Sequence, residues 1–407
     1  MTKVLLVGAG HHQRRVIARA HELGLEVVAV DRNPDAPGLA DADAAEVVDF
    51  QDVGAVAAAG RRHGVEGVLT YVADRAVPVV AAVAEELRLP GIGRETARLM
   101  THKVAQRRRL ADTGVPQPRF AAARNLHEAR AAAGAVGFPA VLKPADSAGQ
   151  RGIFLLTGMG DVERHLHATL AESPSEEAII ESYHEGLEVN TLLVARGGEV
   201  SLVTLSDRIR PHGRGFGVAL THLYPSTLFG HALEETEHVA AFSVHALGLS
   251  DGIAYPQLLT AEGSEPRVVE VAARIPGGQM VDVALLGAGV DLIEVALRQA
   301  LGERIPEELV RPRMSQPLAI FFLTAEPGPL PTGRVRSVSG LERVLAFPGV
   351  VRAEVFLEQD EVIRPVQRDG DRRGYVIAVG DTNVEALERA EAAATLLDVE
   401  VEDVEAA

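Results

Sequence analysis

Two stretches near the middle of the chain place an amide and a carboxylate where they can share a cation. Ile253-Ala-Tyr255-Pro-Gln257-Leu-Leu259 and Arg267-Val-Val-Glu270-Val-Ala272 both read as strands, and Gly263-Ser264 between them is a favoured hairpin turn pair. With the turn centred there, Gln257 lies directly opposite Glu270, and Leu259 opposite Val268 is the next pair on that face. Directly opposed residues hold their Cβ atoms about 4.5–5.5 Å apart. Two hard oxygen donors at that separation suit magnesium, which binds through few protein oxygens and keeps several waters. The plainer reading is a polar pair on the wet side of a hairpin. Against it, the second strand runs on into Ala273-Arg274-Ile-Pro276-Gly277-Gly278, a fixed cation followed by bare backbone donors. An anionic reaction centre needs both.

Two further segments suit a nucleotide. Ala140-Val-Leu-Lys143-Pro leads through Ala-Asp-Ser147-Ala-Gly149-Gln-Arg-Gly152 into Ile-Phe-Leu-Leu156, a strand, a small-residue loop and a second strand. Such a loop exposes backbone N–H groups that can close over phosphates, and Lys143 sets an ammonium beside them. It is not a Walker A loop, since it lacks Gly-Lys-Ser/Thr and joins two strands. An ordinary hairpin with a surface lysine explains it as well. In Ile179-Ile180-Glu181-Ser-Tyr183-His-Glu185-Gly186-Leu-Glu188-Val-Asn190 a buried strand enters an acidic turn. A free strand edge can pair with adenine, and a carboxylate seven residues on can accept from both ribose hydroxyls. A solvated acidic turn is the plain alternative.

The elements that must position these residues follow from periodicity. Over the first ~95 residues, short apolar strands (Val4 to Val7, Val27 to Val30, Glu46 to Phe50, Gly67 to Val72) alternate with helical patterns, including Ala76 to Leu87. Continuous apolar strands in such alternation imply a doubly wound parallel sheet. Gly8-x-Gly10 follows the first strand, as in a dinucleotide-binding turn, but Gln13 stands where the third glycine belongs. A tight turn that packs the helix on the sheet is the better reading, with His11 and His12 as helix-start residues. The prolines of Val115-Pro116-Gln117-Pro118 mark a linker, and Pro312 to Pro317 a boundary. In the last ~90 residues, Ala319 to Leu323 and Tyr375 to Val379 read as strands. Val384, Leu387, Ala390, Ala394 and Leu397 line one face of a closing helix, and Glu400 to Ala407 is expected to fray.

Composition removes whole classes of function. The 407 residues contain no cysteine, which excludes a thiolate nucleophile, a disulfide framework and Cys-ligated zinc, and suits a reducing cytoplasm. A net charge of −17 disfavours nucleic acid, whose binding relies on basic surface. Arg107-Arg108-Arg109 is a basic run, read as the solvated face of a helix. No apolar stretch reaches membrane-spanning length, and no signal peptide is expected.

In this order the pieces resemble the ATP-grasp superfamily, and the likeness covers nearly the whole chain. It implies α/β and α+β domains: a Rossmann-like N-terminal domain over 1–97, an ATP-grasp domain over 98–311 (lid about 120–186, core about 187–311) and a C-terminal α+β domain over 312–407. It implies that ATP lies between lid and core. Lys103, in Thr101-His102-Lys103, is similar to the family's first phosphate-contacting lysine and Lys143 to its second. Ser147, Gly149 and Gly152 fall in the lid loop. Glu181 and Tyr183 fall at the adenine hinge, Tyr183 largely through its backbone, and Glu188 falls at the ribose carboxylate. Gln257 and Glu270 match the side chains that hold magnesium, with manganese as a substitute, and Arg274 matches the arginine at the phosphate and acyl centre. Two departures stand out: Ala272 replaces an asparagine that helps bind a second metal, and Gln257 replaces a frequent glutamate. His102 stands where Asp or Asn is usual, a neutral exchange.

Within the superfamily, Thr70-Tyr-Val-Ala-Asp74-Arg75, Ser206-Asp-Arg208, Thr221-His222-Leu-Tyr-Pro225 and the segments Phe347 to Val351 and Val366 to Gly380 resemble the L-amino-acid ligase branch. That resemblance implies a cytoplasmic, homodimeric, ADP-forming carboxylate–amine ligase working through an acyl phosphate on small-molecule substrates, amino acids in the first instance. Arg274 and the N–H groups of Gly277 and Gly278 would stabilise the negative charge that develops. His222 stands open between a substrate-facing and a structural role. The rival enzyme is an ATP-grasp carboxylase or formyl-phosphate transferase acting on a purine precursor. The rival outside catalysis is an ATP-binding protein without activity.

Overall fold

The computed structural model describes residues 1–211 and 215–403. Four parallel strands, β1 (Lys3–Val7), β2 (Glu26–Asp31), β3 (Ala44–Val47) and β4 (Gly67–Thr70), form the N-terminal sheet in the order β3-β2-β1-β4. Alternate residues of β1 face opposite ways, and both ways are apolar. Val4 and Leu6 pack with Val16, Ile17 and Ala20 of one helix, while Leu5 and Val7 pack with Val56, Ala59 and Val83 of two others. The sheet is therefore doubly wound, as the unbroken apolar strands require. The third strand begins earlier than the expected Glu46 to Phe50, because only Ala44–Val47 finds partners on β2. Gln13 lies against the Gly8-Gly10 turn and donates to the Tyr71 carbonyl at 2.7 Å, filling the place of the missing glycine.

The lid sheet contains β5 (Phe120–Ala123), β6 (Ala140–Pro144), β7 (Phe154–Leu156) and β8 (Ala178–Ser182), all antiparallel, in the order β5-β8-β6-β7. Ala140, Leu142, Ala178 and Ile180 pack under the helices Leu126–Val136 and Met159–Ala171. Strand alternation then turns Val141, Lys143 and Glu181 the other way, into a cleft.

The core sheet starts with β9 (Leu187–Arg196), β10 (Glu199–Ile209), β11 (Thr221–Tyr224), β12 (Gly252–Ala261) and β13 (Ser264–Ala272). It continues through β14 (Leu318–Phe322), while β15 (Gly333–Ser339) leaves it for a small sheet. β16 (Val350–Val355) and β18 (Gly374–Val379) return to it; β17 (Val362–Ile363) and β19 (Asp398–Glu402) flank β15. The resulting eight-stranded order is β13-β12-β9-β10-β11-β14-β18-β16. The last ~90 residues are thus not a self-contained unit: β14 pairs with β11, and the sheet crosses the proline-marked boundary. One face of the core sheet is apolar, with Val189, Leu193, Ala254, Leu258, Val268 and Val271 covered by the helix Gly230–Ala246.

At the C-terminus the expected face of the closing helix holds except at its first residue. Val384 is exposed, whereas Ala390 and Ala394 are buried and Leu387 and Leu397 pack against the same cluster. The helix Asn383–Ala394 adds Ala386 and Ala393 to that face, which lies on β14 and β18. Glu400 to Glu402 do not fray; they pair with β15 as part of β19, whereas 404–407 lie outside the described residues. No helix among the described residues is long and apolar enough to cross a membrane.

Candidate active site

The cleft between lid and core collects most of the predicted residues. Gln257 pairs with Glu270 across β12 and β13, as the hairpin reading requires. Lys103 Nζ lies 3.1 Å from a Glu270 carboxylate oxygen and 2.8 Å from the Ser147 carbonyl. Lys143, Glu181, Tyr183 and Glu188 line the same cleft. Lys103 opens the helix Lys103–Asp112, whose N-cap His102 accepts from the Ala105 N–H at 3.4 Å, as an aspartate or asparagine there would. A cavity of about 420 Å³ continues from the cleft past Ser147, Glu270 and His102 to Asp74 and Arg75 of the N-terminal domain.

The predicted pairing of Leu259 with Val268 is wrong by one residue. Gln257 opposes Glu270, yet Leu258 opposes Val268 and Leu259 opposes Arg267. Val269 is the extra residue of a β-bulge. A second register irregularity, between Leu259 and Ala261, brings the turn to Glu262-Gly263, one residue before the expected Gly263-Ser264, and Gly263 takes φ +69°. The bulge explains why Val268 and Val271, three apart, both face the apolar side while Val269 and Glu270 line the cleft.

Glu181 does not sit on a free strand edge. β8 runs between β5 and β6, and the Tyr183 N–H donates to the Pro139 carbonyl at 3.1 Å. The Glu181 carboxylate is buried and takes 2.7 Å bonds from both Lys143 Nζ and Arg107 Nε. Burial alone would raise its pKa; the charges and hydrogen bonds of Arg107 and Lys143 outweigh that and hold it at about 2. Arg107 is thereby removed from the solvated face expected for it. It is 1% exposed, while Arg108 and Arg109 face solvent. Glu188 is likewise buried, 3.0 Å from Arg208 Nη1 and 2.9 Å from Arg210 Nε.

Past Glu270 the chain turns beneath the N-terminal domain. Ala272 stands opposite Tyr255, a buried tyrosine, so a large residue on β12 lies beside the small one on β13. Arg274 makes a bidentate pair with Asp74, at 2.6 and 2.5 Å. Gly278 takes φ +66°, and a Cβ there would lie 3.2 Å from His222 Nε2. His222 is buried, 3.1 Å from the Asn190 amide and edge-on to Phe322. Burial first, then Arg372 and Arg208, pushes its pKa well below 6.5, so the imidazole is neutral.

Sequence reasoning missed Arg372, which precedes β18 in the chain. Its guanidinium lies 4.1 Å over the Phe322 ring, 2.7 Å from Asp369 and 3.8 Å from the Cβ position at Gly278. The Asp369 N–H also donates to the Gly149 carbonyl of the lid loop at 3.2 Å. The adjacent arginines Arg372-Arg373 were the available signal, but a basic pair before a strand is common.

The donor set fits magnesium and nucleotide. Gln257 and Glu270 offer two hard oxygens to one cleft, a number suited to a cation completed by phosphate and water. Among the described residues no cluster of three or more His, Asp or Glu could hold a metal unaided. Ser147 Oγ, in the loop beside both lysines, is buried without a hydrogen-bond partner among the described residues. The cleft itself is narrow, about 70 Å³, because the Gln150 side chain of the lid loop reaches to 2.5 Å from the Cβ position at Gly217.

Comparison with known proteins agrees with this layout. Residues 17–91 match the ATP-grasp N-terminal domain, residues 102–308 the ATP binding domain of the carbamoyl-phosphate synthase L chain, and residues 328–402 the L-amino acid ligase C-terminal domain 2. A formate-dependent phosphoribosylglycinamide formyltransferase from Ignicoccus hospitalis is 27% identical over 98% of this chain and 96% of its own. The L-amino acid ligase of Bacillus licheniformis superposes with a TM-score of 0.83 at 19% identity, over 99% of both chains. The biotin carboxylase domain of the Hydrogenobacter thermophilus 2-oxoglutarate carboxylase, solved with MgADP and bicarbonate, gives 0.77 at 20% identity, over 98% of this chain and 90% of that one. With its ATP binding domain alone spanning just over half of its length, the chain belongs to the ATP-grasp superfamily, on the branch that carries the L-amino acid ligase C-terminal domain.

Proposed function

We propose that this chain is an ADP-forming enzyme that activates a small carboxylate with ATP and passes the acyl group to an amine, formate and a phosphate-bearing purine precursor being the substrates best supported. The carrying observation is the Gln257–Glu270 pair, set 3.1 Å from Lys103, with Arg274 four residues on. A carboxylate oxygen attacks the γ-phosphorus of ATP, ADP leaves, and an acyl phosphate forms. The amine nitrogen then attacks the acyl carbon, the C–O bond to phosphate breaks, and phosphate and a proton are released. Such chemistry asks mainly for position and charge neutralisation. Lys103 and Lys143 would hold nucleotide phosphates. Arg274 and the N–H groups of Gly277 and Gly278 would meet the charge that develops on the transferring groups. Magnesium, held by Gln257 and Glu270, would neutralise charge between the two anions.

Two observations support a purine-precursor acceptor. The formyltransferase relative aligns over nearly the whole chain. Arg372, partly buried, supplies a cation beside Gly278, suited to an acceptor with a fixed anionic group. Amino-acid ligation is the second reading, favoured by the match over 328–402. ADP release under MgATP decides between them: formate with phosphoribosylglycinamide, bicarbonate with an aminoimidazole nucleotide, and a panel of amino-acid pairs. Release with formate and phosphoribosylglycinamide is expected. Release only with amino-acid pairs moves the acceptor to the second reading. ATP binding without ADP formation in every arm refutes the enzyme.

A further inference from the structure

We propose that Arg107 is a positioning residue that sets the metal-facing Glu270 and the phosphate-facing Lys143 at once; this rests on the roles proposed above for those two residues. Arg107 touches neither of them. Its Nη1 donates to the Val268 carbonyl and its Nη2 to the Val269 carbonyl, both at 2.6 Å, and its Nε donates to Glu181 at 2.7 Å. Nη1 also lies 3.3 Å from the Gln117 amide oxygen. The guanidinium thus bridges β13 of the core to β8 of the lid.

Both ends matter for chemistry. On β13, Val269 is the bulged residue. Register continued from the Leu258–Val268 pair would bring Val269, not Glu270, opposite Gln257. A one-residue slip sends side chains to the opposite face, so Glu270 would leave the cleft. β13 is the edge of its sheet, and the bulge frees carbonyls that no ladder partner reaches. Arg107 takes two of them. Beside it, the Gln106 side chain pairs with both the N–H and the C=O of Val271, at 2.9 and 2.8 Å, and the Pro116 carbonyl accepts from the Val268 N–H. Side chains of one helical turn therefore stand in for the next strand and fix the two residues before Glu270 and the one after it. On β8, Arg107 holds one oxygen of Glu181 while the other holds Lys143. Arginine suits this work because its planar fork serves several acceptors, whereas an ammonium is a point charge.

The test is ADP binding to the full-length chain by titration calorimetry over a series of Mg²⁺ concentrations, with circular dichroism to confirm folding. Arg107→Gln and Glu270→Gln are each expected to raise the Mg²⁺ concentration for half-maximal binding by roughly 10–100-fold. The double variant should be no worse than either single one, because both act through the same carboxylate. Arg107→Lys keeps a charge for Glu181 but cannot span both carbonyls. It should restore magnesium-free ADP affinity and leave the Mg²⁺ requirement shifted. A folded Arg107→Gln protein with the wild-type requirement, or full additivity in the double variant, overturns the inference. Where Arg107→Gln fails to fold, Arg107→Lys decides: an unshifted requirement overturns the inference. Wild-type ADP binding that ignores both Mg²⁺ and Glu270→Gln refutes the proposed metal site and this inference with it. A magnesium-dependent wild type with an indifferent Arg107 removes Arg107 alone.

Discussion

Glu181 and Glu270 face one cleft from opposite sheets, yet they are held in opposite ways. Glu181 is 2% exposed and bound on both oxygens by Arg107 and Lys143. Glu270 has a side chain 34% exposed and, among the described residues, one ion-pair partner, Lys103, at 3.1 Å. A buried carboxylate with a cationic donor on each oxygen is a structural fixture that orients its donors. One that is partly solvated and under-coordinated retains capacity for a cation. Residue type and proximity to the nucleotide loop do not separate the two; burial and a cation on each oxygen do.

The comparison breaks most visibly at Glu181. Glu181→Leu strands two buried cations, and breaking a buried pair in this way costs about 3–5 kcal/mol. Urea unfolding of the variant should show that loss; a change within a few tenths of a kcal/mol would mean that the cluster is not structural. The acid limb gives the sign independently. With the folded pKa held near 2, below an ordinary 4.5, this contribution is complete above pH 4.5 and is lost as pH falls toward 2. Glu270→Gln should do the reverse. It leaves the unfolding free energy within about 0.5 kcal/mol, as for an accessible site. It lowers amine-dependent ADP release on the order of 10²–10³-fold, since charge stabilisation of several kcal/mol is withdrawn. Unchanged turnover would take Glu270 out of the metal site. Lys143→Ala is smaller: loss of one charged hydrogen bond, about 1.5–3 kcal/mol, weakens ATP binding roughly 10–100-fold. Unaltered nucleotide affinity in a calorimetric titration would assign Lys143 to Glu181 alone.

These contrasts mark what can be read from a sequence. The opposition of Gln257 and Glu270 was legible in outcome but not in cause: the turn lies one residue earlier than the expected Gly263-Ser264, and two register shifts between it and Gln257 restore the pairing. The bulge at Val269 was not legible, since it is set by Arg107 and Gln106 from a helix some 160 residues earlier in the chain. Arg107 itself was hidden by its neighbours. Three successive arginines on a helix read as a wet face, yet one of every three or four positions points inward, and here both β13 and β8 lie on that side. The parallel N-terminal sheet was legible because strands buried on both faces are apolar throughout. The merging of β14, β16 and β18 into the core sheet was not, because edge pairing between distant strands leaves no local mark. Arg372 escaped for the same reason: its place beside Gly278 exists only once that sheet is assembled.

His222 gives the smallest expected effect and the finest test of the two kinds of polar residue. It lies between Arg208, its neighbour across the β10–β11 ladder, and Arg372, with the Asn190 amide and the Phe322 ring completing its surroundings. Burial and the two cations keep its folded pKa below 6.5, and a hydrogen bond to the Asp207 backbone opposes them only in part. The unfolded chain therefore takes up the proton first. His222 contributes stability in full above pH 6.5 and loses it as pH falls below that value, by at most about 1.4 kcal/mol per pH unit. This window lies well above the acid limb of Glu181, so the two separate in one pH series. His222→Gln should flatten the dependence of the unfolding free energy between pH 6.5 and 5.5 relative to wild type. A slope equal to that of wild type would mean that the imidazole titrates alike in the folded and unfolded chain. Its ring would then be within reach of solvent protons, and the apolar, cation-flanked setting beside Gly278 would not be the environment it occupies in solution.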